Sequence, residues 1–272
     1  MKIGNKFFDF KKNAYIMGIL NVTPDSFSDG GSYQTLQQAI DHVAQMIEDG
    51  VDMIDIGGES TRPGHTQISC EEEIERIIPV IEAIKKRFDI PLSVDCYRSE
   101  TAEAALKAGV HMINDIWGFH YDPQLANLIK EYQIPYCLMH NRFNENYTNF
   151  LADILQDLHT QINFATESGI SKSQIILDPG IGFAKSRQQD ALLLKNLSLL
   201  DIFECPILLG TSRKRVINAV INRPVHERDH ATAATTVYGY LNGARLFRVH
   251  NVRYNRDALD MVMALEGDLI NE

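Results

Sequence analysis

The chain has 272 residues, of which 44% are hydrophobic, and it carries a formal net charge of −10. This length and apolar content suit one α/β barrel of about 250 residues or two smaller domains. The acidic balance argues against nucleic-acid or acidic-membrane partners, because either would need a broad basic surface.

Two further features narrow the class of protein. No stretch is long and apolar enough to cross a bilayer, including the run 14–20 that follows three lysines. The four cysteines form no Cys-x-x-Cys pair, which argues against a disulfide framework and a zinc site. We therefore predict a cytoplasmic protein with no membrane partner.

Eight short apolar runs recur along the chain, and polar or glycine residues follow each of them. The runs predict buried strands at 15–20, 53–56, 91–94, 112–113, 136–139, 175–177, 206–209 and 246–249. Segments between them have helical spacing of apolar residues and lie at 36–48, 71–88, 102–108, 123–132, 153–168, 188–200, 230–242 and 255–267. Ser69 is expected to cap the second helix, and Gly50, Gly109, Gly169 and Gly243 are expected as left-handed C-caps.

The alternation of strands and helices predicts parallel strands joined by right-handed crossovers. Eight even units indicate a closed α/β barrel, a single (β/α)8 or TIM barrel, in one domain covering residues 1–272. A doubly wound open sheet is the alternative, although it would not need eight even units. Active sites of such barrels lie at the C-terminal ends of the strands. The polar residues at or just beyond those ends are Asn21, Arg62, Asp95, Asn114, Asp178, Lys214, Arg248 and His250.

Two carboxylates and an amide stand out among these residues. Asp95, Asn114 and Asp178 end or follow apolar runs, so they should be partly buried. Buried carboxylates need hydrogen-bond donors. Either nearby backbone amides supply them, or a flat ligand with adjacent N–H groups does. If a ligand supplies the donors, an amino-pyrimidinone edge would fit, because Asn114 can both donate and accept hydrogen bonds.

A set of cations indicates an anionic substrate group. Its members are Arg62, Arg213, Lys214, Arg215, Arg248 and His250. Barrels often place a phosphate near strands 7 and 8. There Gly210 permits close backbone approach and Ser212 adds a hydroxyl. Arg215, at a helix start, is expected to point to solvent. The segment lacks Walker A spacing, and no serine–histidine–acid set stands out.

Six motifs resemble those of the dihydropteroate synthases. They are Met-Gly-Ile-Leu-Asn-Val-Thr-Pro-Asp-Ser-Phe-Ser-Asp-Gly-Gly at 17–31, Asp-Ile-Gly-Gly-Glu-Ser-Thr-Arg-Pro-Gly at 55–64, Ile-Asn-Asp-Ile at 113–116, Asp-Pro-Gly-Ile-Gly-Phe at 178–183, Gly-Thr-Ser-Arg-Lys at 210–214 and Arg-Val-His at 248–250. The resemblance implies a (β/α)8 barrel of the folate pathway, usually a homodimer. Such enzymes join p-aminobenzoate to 6-hydroxymethyl-7,8-dihydropterin diphosphate and release diphosphate with Mg²⁺ assistance. Sulfonamides occupy their p-aminobenzoate site.

The resemblance also implies roles for single residues. The pterin and diphosphate contacts would be Thr61, Asp95, Asn114, Met139, Asp178, Phe183, Gly210, Lys214, Arg248 and His250. Among them, Asp95, Asn114 and Asp178 would bind the ring edge, Lys214 would reach its carbonyl side and Arg248 would stack on it. The residues with catalytic roles would be Arg62, Asp95, Lys214 and Arg248.

The second substrate and the metal have implied sites of their own. The p-aminobenzoate contacts would be Phe27, Thr61, Arg62, Pro63, Phe183, Ser212 and Lys214. Asn21 would ligate Mg²⁺ on the diphosphate, and Arg62 and His250 would hold diphosphate oxygens. Residues 25–31 would form a mobile flap that closes over p-aminobenzoate. The implied mechanism is substitution at the pterin methylene, with the carbon–oxygen bond largely broken before the aniline nitrogen attacks.

The chain departs from the family pattern in two places. Cys96-Tyr97-Arg98 stands where threonine and lysine are commoner, and His140-Asn141-Arg142-Phe143 stands where many members carry Met-Gln-Gly. The second departure leaves the role of the loop 141–150 open.

Three alternatives remain. A pterin-binding methyltransferase that serves a corrinoid protein would have no use for the Ser-Arg-Lys and Arg-Val-His cations. A non-catalytic paralogue would be expected to have lost Asn21, Arg62, Lys214 or Arg248, and none is lost. A generic phosphate-binding barrel is the third, because fold alone does not fix function.

Overall fold

The computed structural model describes residues 1–23, 32–60 and 66–267. The predicted flap 25–31 and the predicted site residues Phe27, Thr61, Arg62 and Pro63 lie outside these ranges. The chain opens with an antiparallel hairpin of β1 (Lys2–Ile3) and β2 (Lys6–Phe7). Neither strand was predicted, because two residues carry no periodic pattern.

Eight parallel strands follow and close into a barrel. They are β3 (Tyr15–Asn21), β4 (Met53–Gly57), β5 (Leu92–Asp95), β6 (Met112–Asp115), β7 (Tyr136–Met139), β8 (Ile175–Asp178), β9 (Ile207–Leu209) and β10 (Ala244–Val249). The last strand pairs with both β9 and β3, so that Val249 lies opposite Gly18. This closure confirms the predicted (β/α)8 barrel and excludes the open sheet.

Helices surround the strands. They are α1 (Ser32–Glu48), α2 (Cys70–Arg87), α3 (Ser99–Ala108), α4 (Leu125–Tyr132), α5 (Phe150–Glu167), α6 (Arg187–Lys195), α7 (Arg215–Ile221), α8 (Asp229–Leu241) and α9 (Val252–Glu266). Of these, α7 was predicted only as a helix start at Arg215, because its seven residues are too few to show a helical period. The segment predicted as one helix at 188–200 divides into α6 and the 3-10 helix Leu197–Phe203. No helix within the described ranges is long and apolar enough to cross a membrane.

The predicted helix ends are confirmed where capping can be checked. The Ser69 hydroxyl accepts a hydrogen bond from the Glu72 N–H at 3.2 Å, as an N-cap does. The four predicted C-cap glycines all have positive φ, from 87° at Gly50 to 100° at Gly109 and Gly243.

The barrel interior is layered, and the layers place the site. Its floor consists of Met17, Met53, Met112, Cys137, Ile176, Leu208 and Leu246, with Ile3 and Phe8 packed among them. Because side chains alternate along a strand, the next inward layer lies two residues further on. That layer contains Ile19, Asp55, Asn114, Met139, Asp178, Gly210 and Arg248. The apolar floor therefore supports a mostly polar layer at the mouth.

Candidate active site

Arg248 is the centre of a buried hydrogen-bond network at the mouth of the barrel. Its Nε donates to Asp55 Oδ2 at 2.6 Å, and its Nη2 donates to Asp95 Oδ2 at 2.7 Å. Asn114 Nδ2 donates to the same oxygen of Asp55 at 2.9 Å. Burial opposes the charged form, but Asp55 and Asp95 raise the pKa of Arg248, so the guanidinium stays charged. Of the predicted residues, Asp95 thus bonds directly to Arg248, and Asn114 is linked to Arg248 through Asp55.

Asp55 was not predicted from the sequence. Polar residues were sought at strand ends, whereas Asp55 lies inside β4 and is fully buried. The available signal was its spacing of two from Met53, which places both side chains on the inward face. The Oδ1 atoms of Asp55 and Asp95 are buried and have no hydrogen-bond partner among the described residues. Buried carboxylate oxygens need donors, so both are suited to accept from a ligand's N–H groups.

The ionisation of Asp95 suits a ring with mixed donors and acceptors. Burial raises the pKa of Asp95 to about 7; Asp55 adds to the rise and Arg248 opposes it. Near neutral pH the group therefore exists both as a carboxylate, which only accepts hydrogen bonds, and as an acid, which can donate one.

Asp178 and Lys214 lie on either side of Gly210. Asp178 Oδ1 accepts from the Gly180 N–H at 2.7 Å, and Lys214 Nζ donates to the Ile181 carbonyl at 2.5 Å. A Cβ on Gly210 would lie 3.6 Å from Asp178 Oδ2 and 3.8 Å from Lys214 Nζ, so glycine keeps the space between them open. Burial raises the pKa of Asp178 and lowers that of Lys214 to about 8, and each group's charge opposes the shift of the other.

An apolar wall stands beside these polar groups. Met139 ends β7 and packs with Tyr97 and Ile116, and Phe183 packs against this cluster. Lys214 Nζ lies 4.6 Å from the centre of the Phe183 ring. The mouth therefore offers hydrogen-bonding groups together with an apolar surface, which are the two features of a small-molecule site.

Ser212 and His250 form a second pair at the mouth. The Ser212 hydroxyl accepts from the His250 backbone N–H at 3.1 Å and lies 2.9 Å from His250 Nδ1. With a neutral imidazole, the hydroxyl donates to Nδ1, which leaves the ring proton on Nε2. Ser212 thereby sets the orientation and tautomer of His250.

Asn21 is the predicted metal ligand, and it lies at the end of β3. A Cβ on the neighbouring Gly57 would lie 3.6 Å from both Asn21 Oδ1 and Asp95 Cβ. The glycine therefore keeps the space open between the Asn21 carboxamide and the carboxylate layer.

Two predicted cations do not belong to the anion site. Arg213 donates to Asp229 through Nε at 2.6 Å and through Nη2 at 2.7 Å, so it fastens the start of α8. Arg215 was expected to point to solvent; its side chain is 37% exposed, but it also makes contacts with the protein. Its guanidinium donates to the Lys185 carbonyl and its Nε lies 3.6 Å from Asp190 Oδ2. Of the three consecutive cations, Lys214 is the one whose side chain reaches the mouth.

The fold is a (β/α)8 barrel whose mouth combines a polar layer with an apolar wall, as an enzyme that binds a flat, nitrogen-rich ring would require. Residues 17–250 match the family described as pterin binding enzymes. A dihydropteroate synthase of Clostridium beijerinckii is 51% identical over 262 residues, which cover 96% of this chain and 97% of that protein.

Solved structures of dihydropteroate synthases are also similar to this chain. The crystal structure of a dihydropteroate synthase from Clostridium difficile, obtained in the presence of pteroic acid, gives a TM-score of 0.93 at 46% identity and covers 95% of this chain and 99% of that one. A Yersinia pestis dihydropteroate synthase with a sulfonamide drug gives 0.91 at 37% identity and covers 98% of each chain. The chain belongs to the dihydropteroate synthases, within the pterin-binding enzymes.

Proposed function

We propose that the chain joins p-aminobenzoate to 6-hydroxymethyl-7,8-dihydropterin diphosphate, forming 7,8-dihydropteroate and diphosphate in folate biosynthesis. The observation that carries this proposal is the buried polar layer. Asp95 has a buried oxygen with no partner in the described chain. Asn114 lies on the adjacent strand β6, and Asp178 ends β8, two strands further around the same barrel. Carboxylates and an amide in one layer match the N–H and C=O groups of a pterin edge.

The reaction is a substitution at the methylene carbon attached to the pterin ring. The carbon–oxygen bond to diphosphate breaks, the aniline nitrogen forms a new carbon–nitrogen bond, and that nitrogen then loses a proton. Positive charge develops on the methylene and the ring as diphosphate departs. Asp95 and Asp178 stabilise this charge from a buried layer, where such electrostatic effects are strong. The aniline nitrogen is already neutral, so the site must position it rather than deprotonate it.

We propose that Asn21 ligates a Mg²⁺ ion on the diphosphate. Arg62 and His250 would hold diphosphate oxygens. The carboxamide oxygen of Asn21 fits the metal, because Mg²⁺ prefers oxygen ligands and commonly takes only one or two from protein. Phosphate oxygens and water supply the rest. When bound, Mg²⁺ would neutralise charge on the departing diphosphate. His250, oriented by Ser212, adds a hydrogen-bond donor on the same side.

We expect Asn21→Ala to raise the Mg²⁺ concentration needed for half-maximal turnover by about tenfold or more, because a direct oxygen ligand is lost. Binding of the bare alcohol 6-hydroxymethyl-7,8-dihydropterin should stay within about twofold of wild type, since it carries no diphosphate. Activity assays across a Mg²⁺ series and calorimetry with the alcohol check these results. An unchanged Mg²⁺ requirement would remove Asn21 from the metal site.

The p-aminobenzoate site is proposed at the outer edge of the mouth. Phe183, Lys214 and Ser212 border the described part of it, and Phe27, Thr61, Arg62 and Pro63 are assigned to it by the family resemblance. Lys214 lies over the Phe183 ring, so a cation and an aromatic face are available together for a small aromatic carboxylate.

The test of this function is turnover by the purified protein. With both substrates and Mg²⁺, we expect chromatography to show dihydropteroate at a rate that rises with enzyme concentration. A sulfonamide should raise the apparent KM for p-aminobenzoate and leave kcat unchanged. A methyltransferase-like barrel or a non-catalytic paralogue would bind the pterin without forming this product, so folded protein without turnover would refute the proposal.

We further propose a homodimer formed by α8 and α9. These helices pack against each other. On α8, Tyr238 and Leu241 are three residues apart and exposed; on α9, Tyr254, Met261 and Leu265 share one face and are more than half exposed. Large exposed apolar patches are typical of protein interfaces. Sedimentation should show a dimer that Met261→Glu converts to monomer; a monomeric wild type would contradict this.

A cytoplasmic location is also proposed. It rests on the four cysteines, which are all free thiols. Cell fractionation followed by thiol counting should find the protein in the cytoplasmic fraction with every cysteine reduced, and oxidised protein in another compartment would contradict it.

A further inference from the structure

Lys185 is a fully buried lysine that the proposed reaction does not use. Its Nζ lies 2.9 Å from His140 Nδ1 and 3.0 Å from the carbonyl oxygens of both Gly180 and Phe183. The His140 carbonyl oxygen is a fourth and longer contact at 3.4 Å. An ammonium group has three hydrogens, one for each of the three shorter contacts. The three acceptors therefore match the charged form of the side chain.

The state of His140 supports this arrangement. Its Nε2 lies 2.9 Å from Asp157 Oδ2. Burial lowers the pKa of His140 to about 4; burial opposes ionisation of Asp157, but bonds from His140 and Arg142 bring the pKa of that carboxyl to about 2. A neutral imidazole beside a carboxylate keeps its proton on Nε2, so Nδ1 is an acceptor for Lys185.

The segment that Lys185 holds is the tight turn 180–183. Gly180 has a φ of 70°, and a Cβ on it would lie only 1.9 Å from the His140 carbonyl oxygen. The Gly182 N–H donates to Asp190 Oδ1 at 2.7 Å. The turn is therefore pressed against the end of β7 and tied to α6, and its shape is fixed on several sides.

The loop that follows β7 braces the same turn from outside. The Tyr147 hydroxyl donates to the Ala184 carbonyl at 2.9 Å, and the Arg142 guanidinium lies 4.3 Å from the centre of the Tyr147 ring. Arg142 Nε also donates to Asp157 at 2.5 Å. The role of this loop, which the sequence left open, includes this support.

The turn reaches the active site through Lys214. The Ile181 carbonyl accepts from Lys214 Nζ at 2.5 Å, and the Phe183 ring lies beneath the same nitrogen at 4.6 Å. Both groups belong to the turn whose two ends, Gly180 and Phe183, are held by Lys185. A change in the turn would therefore move the immediate surroundings of Lys214.

Packing alone does not explain a lysine at this position. A buried ammonium carries a large desolvation cost, and well-packed apolar residues often replace buried charges without loss of stability. Burial lowers the pKa of Lys185 to about 7, against the opposing charges of Asp190 and Asp178. Burying this side chain therefore costs free energy of folding. Because packing does not require that cost, we infer that Lys185 has a role in the site.

We propose that Lys185 is a positioning residue for the pterin site: its ammonium group fixes the turn 180–183 so that the Ile181 carbonyl and the Phe183 ring hold Lys214 in place. The proposal rests on the proposed function, because it requires Lys214 to contact the pterin substrate. Lys185 does not itself touch the substrate.

The test is a double-mutant cycle of Lys185→Met and Lys214→Met. Calorimetry with 6-hydroxymethyl-7,8-dihydropterin diphosphate measures the Kd of wild type, both single variants and the double variant. We expect Lys185→Met to raise the Kd by about tenfold when Lys214 is present and by less than about twofold when it is absent. Residues of one hydrogen-bond network couple, and both lysines bond to carbonyl oxygens of the same turn. Lys172→Met, which removes an exposed lysine paired with Glu204, is the matched control and should leave the Kd unchanged.

A second pair of variants serves if Lys185→Met does not fold. His140→Asn keeps an acceptor near the position of Nδ1 and should bind the pterin diphosphate nearly as wild type does. His140→Leu removes the acceptor and should raise the Kd by several-fold.

The outcomes separate two failures. A wild-type protein that does not bind the pterin diphosphate refutes the proposed function and this inference with it. A wild type that binds, combined with an equal effect of Lys185→Met in both backgrounds or equal Kd values for the two His140 variants, overturns the positioning role alone.

Discussion

Replacing Asp178 with alanine should raise the Kd for the pterin diphosphate by at least about a hundredfold, as expected when one partner of a buried, hydrogen-bonded charge pair is removed. Asp178 is 5% exposed, and its Oδ2 lies on the Gly210 side, facing the space that Lys214 also borders. The substitution removes an acceptor for the ring N–H groups and the nearest carboxylate that opposes the lowered pKa of Lys214.

The stability of the same variant separates lost binding from lost folding. Burial raises the pKa of Asp178, so the folded state disfavours its ionised form at neutral pH. The substitution also leaves the buried Gly180 N–H without its acceptor, so the melting temperature of Asp178→Ala should fall by a few degrees while unfolding stays cooperative. Calorimetry and thermal unfolding on one sample check both results, with the exposed Asp41→Ala as control. Unchanged affinity, or weak affinity in a variant that no longer unfolds cooperatively, would count against a direct role for Asp178.

Arg248→Met should produce the largest loss of stability at the site. It leaves Asp55 and Asp95 close together and buried without the cation that bridges them. Breaking a buried ion pair from one side costs about 3–5 kcal/mol of unfolding free energy. Urea unfolding at pH 7 measures this loss. Arg245→Met is the matched control on β10, because that side chain donates to the backbone carbonyls of Tyr240 and Ala244, lies over the Tyr240 ring and pairs with no carboxylate of the described residues. This substitution should cost about 1 kcal/mol or less.

Two further measurements connect this loss to charge rather than to packing. Adding Asp55→Asn to Arg248→Met should restore part of the stability, since one of the two unbalanced charges is removed. The deficit of the single variant should also shrink as the pH falls from alkaline values toward about 7, because Arg248 holds down the pKa of Asp95, so that without it Asp95 takes up its proton at a pH above about 7. A deficit that is independent of pH and is not relieved by Asp55→Asn would mean that Arg248 acts through its volume.

The eight strands could be predicted because each is buried on both faces and reads as an apolar run with a polar end. The same rule predicted Asp95, Asn114 and Asp178, which close β5, lie in β6 and close β8. This rule did not predict Asp55, because Asp55 lies inside an apolar strand and not at its end. Only the inward register, fixed by closure of the barrel, shows that Asp55 and Arg248 meet across 193 residues of sequence.

The directions of the side chains in the loop that follows β9 could not be predicted from the sequence either. In the sequence, the consecutive residues Arg213, Lys214 and Arg215 belong to one predicted set of cations. In the structure Arg213 has a φ of 60°, and α7 begins at Arg215, so consecutive side chains diverge. The buried lysine at 185 was hidden for a related reason: its acceptors are mostly backbone carbonyls, which any sequence can supply.

The most direct test of the site is a crystal structure of the protein with 6-hydroxymethyl-7,8-dihydropterin diphosphate bound. We expect the ring N–H groups within hydrogen-bond distance of the carboxylates of Asp95 and Asp178, with Asn114 and Lys214 on the same ring. The diphosphate should extend toward Asn21 and His250. A ring bound outside the barrel mouth, or one whose polar edge faces Met139 and Ile116 instead of the carboxylates, would contradict the assignment.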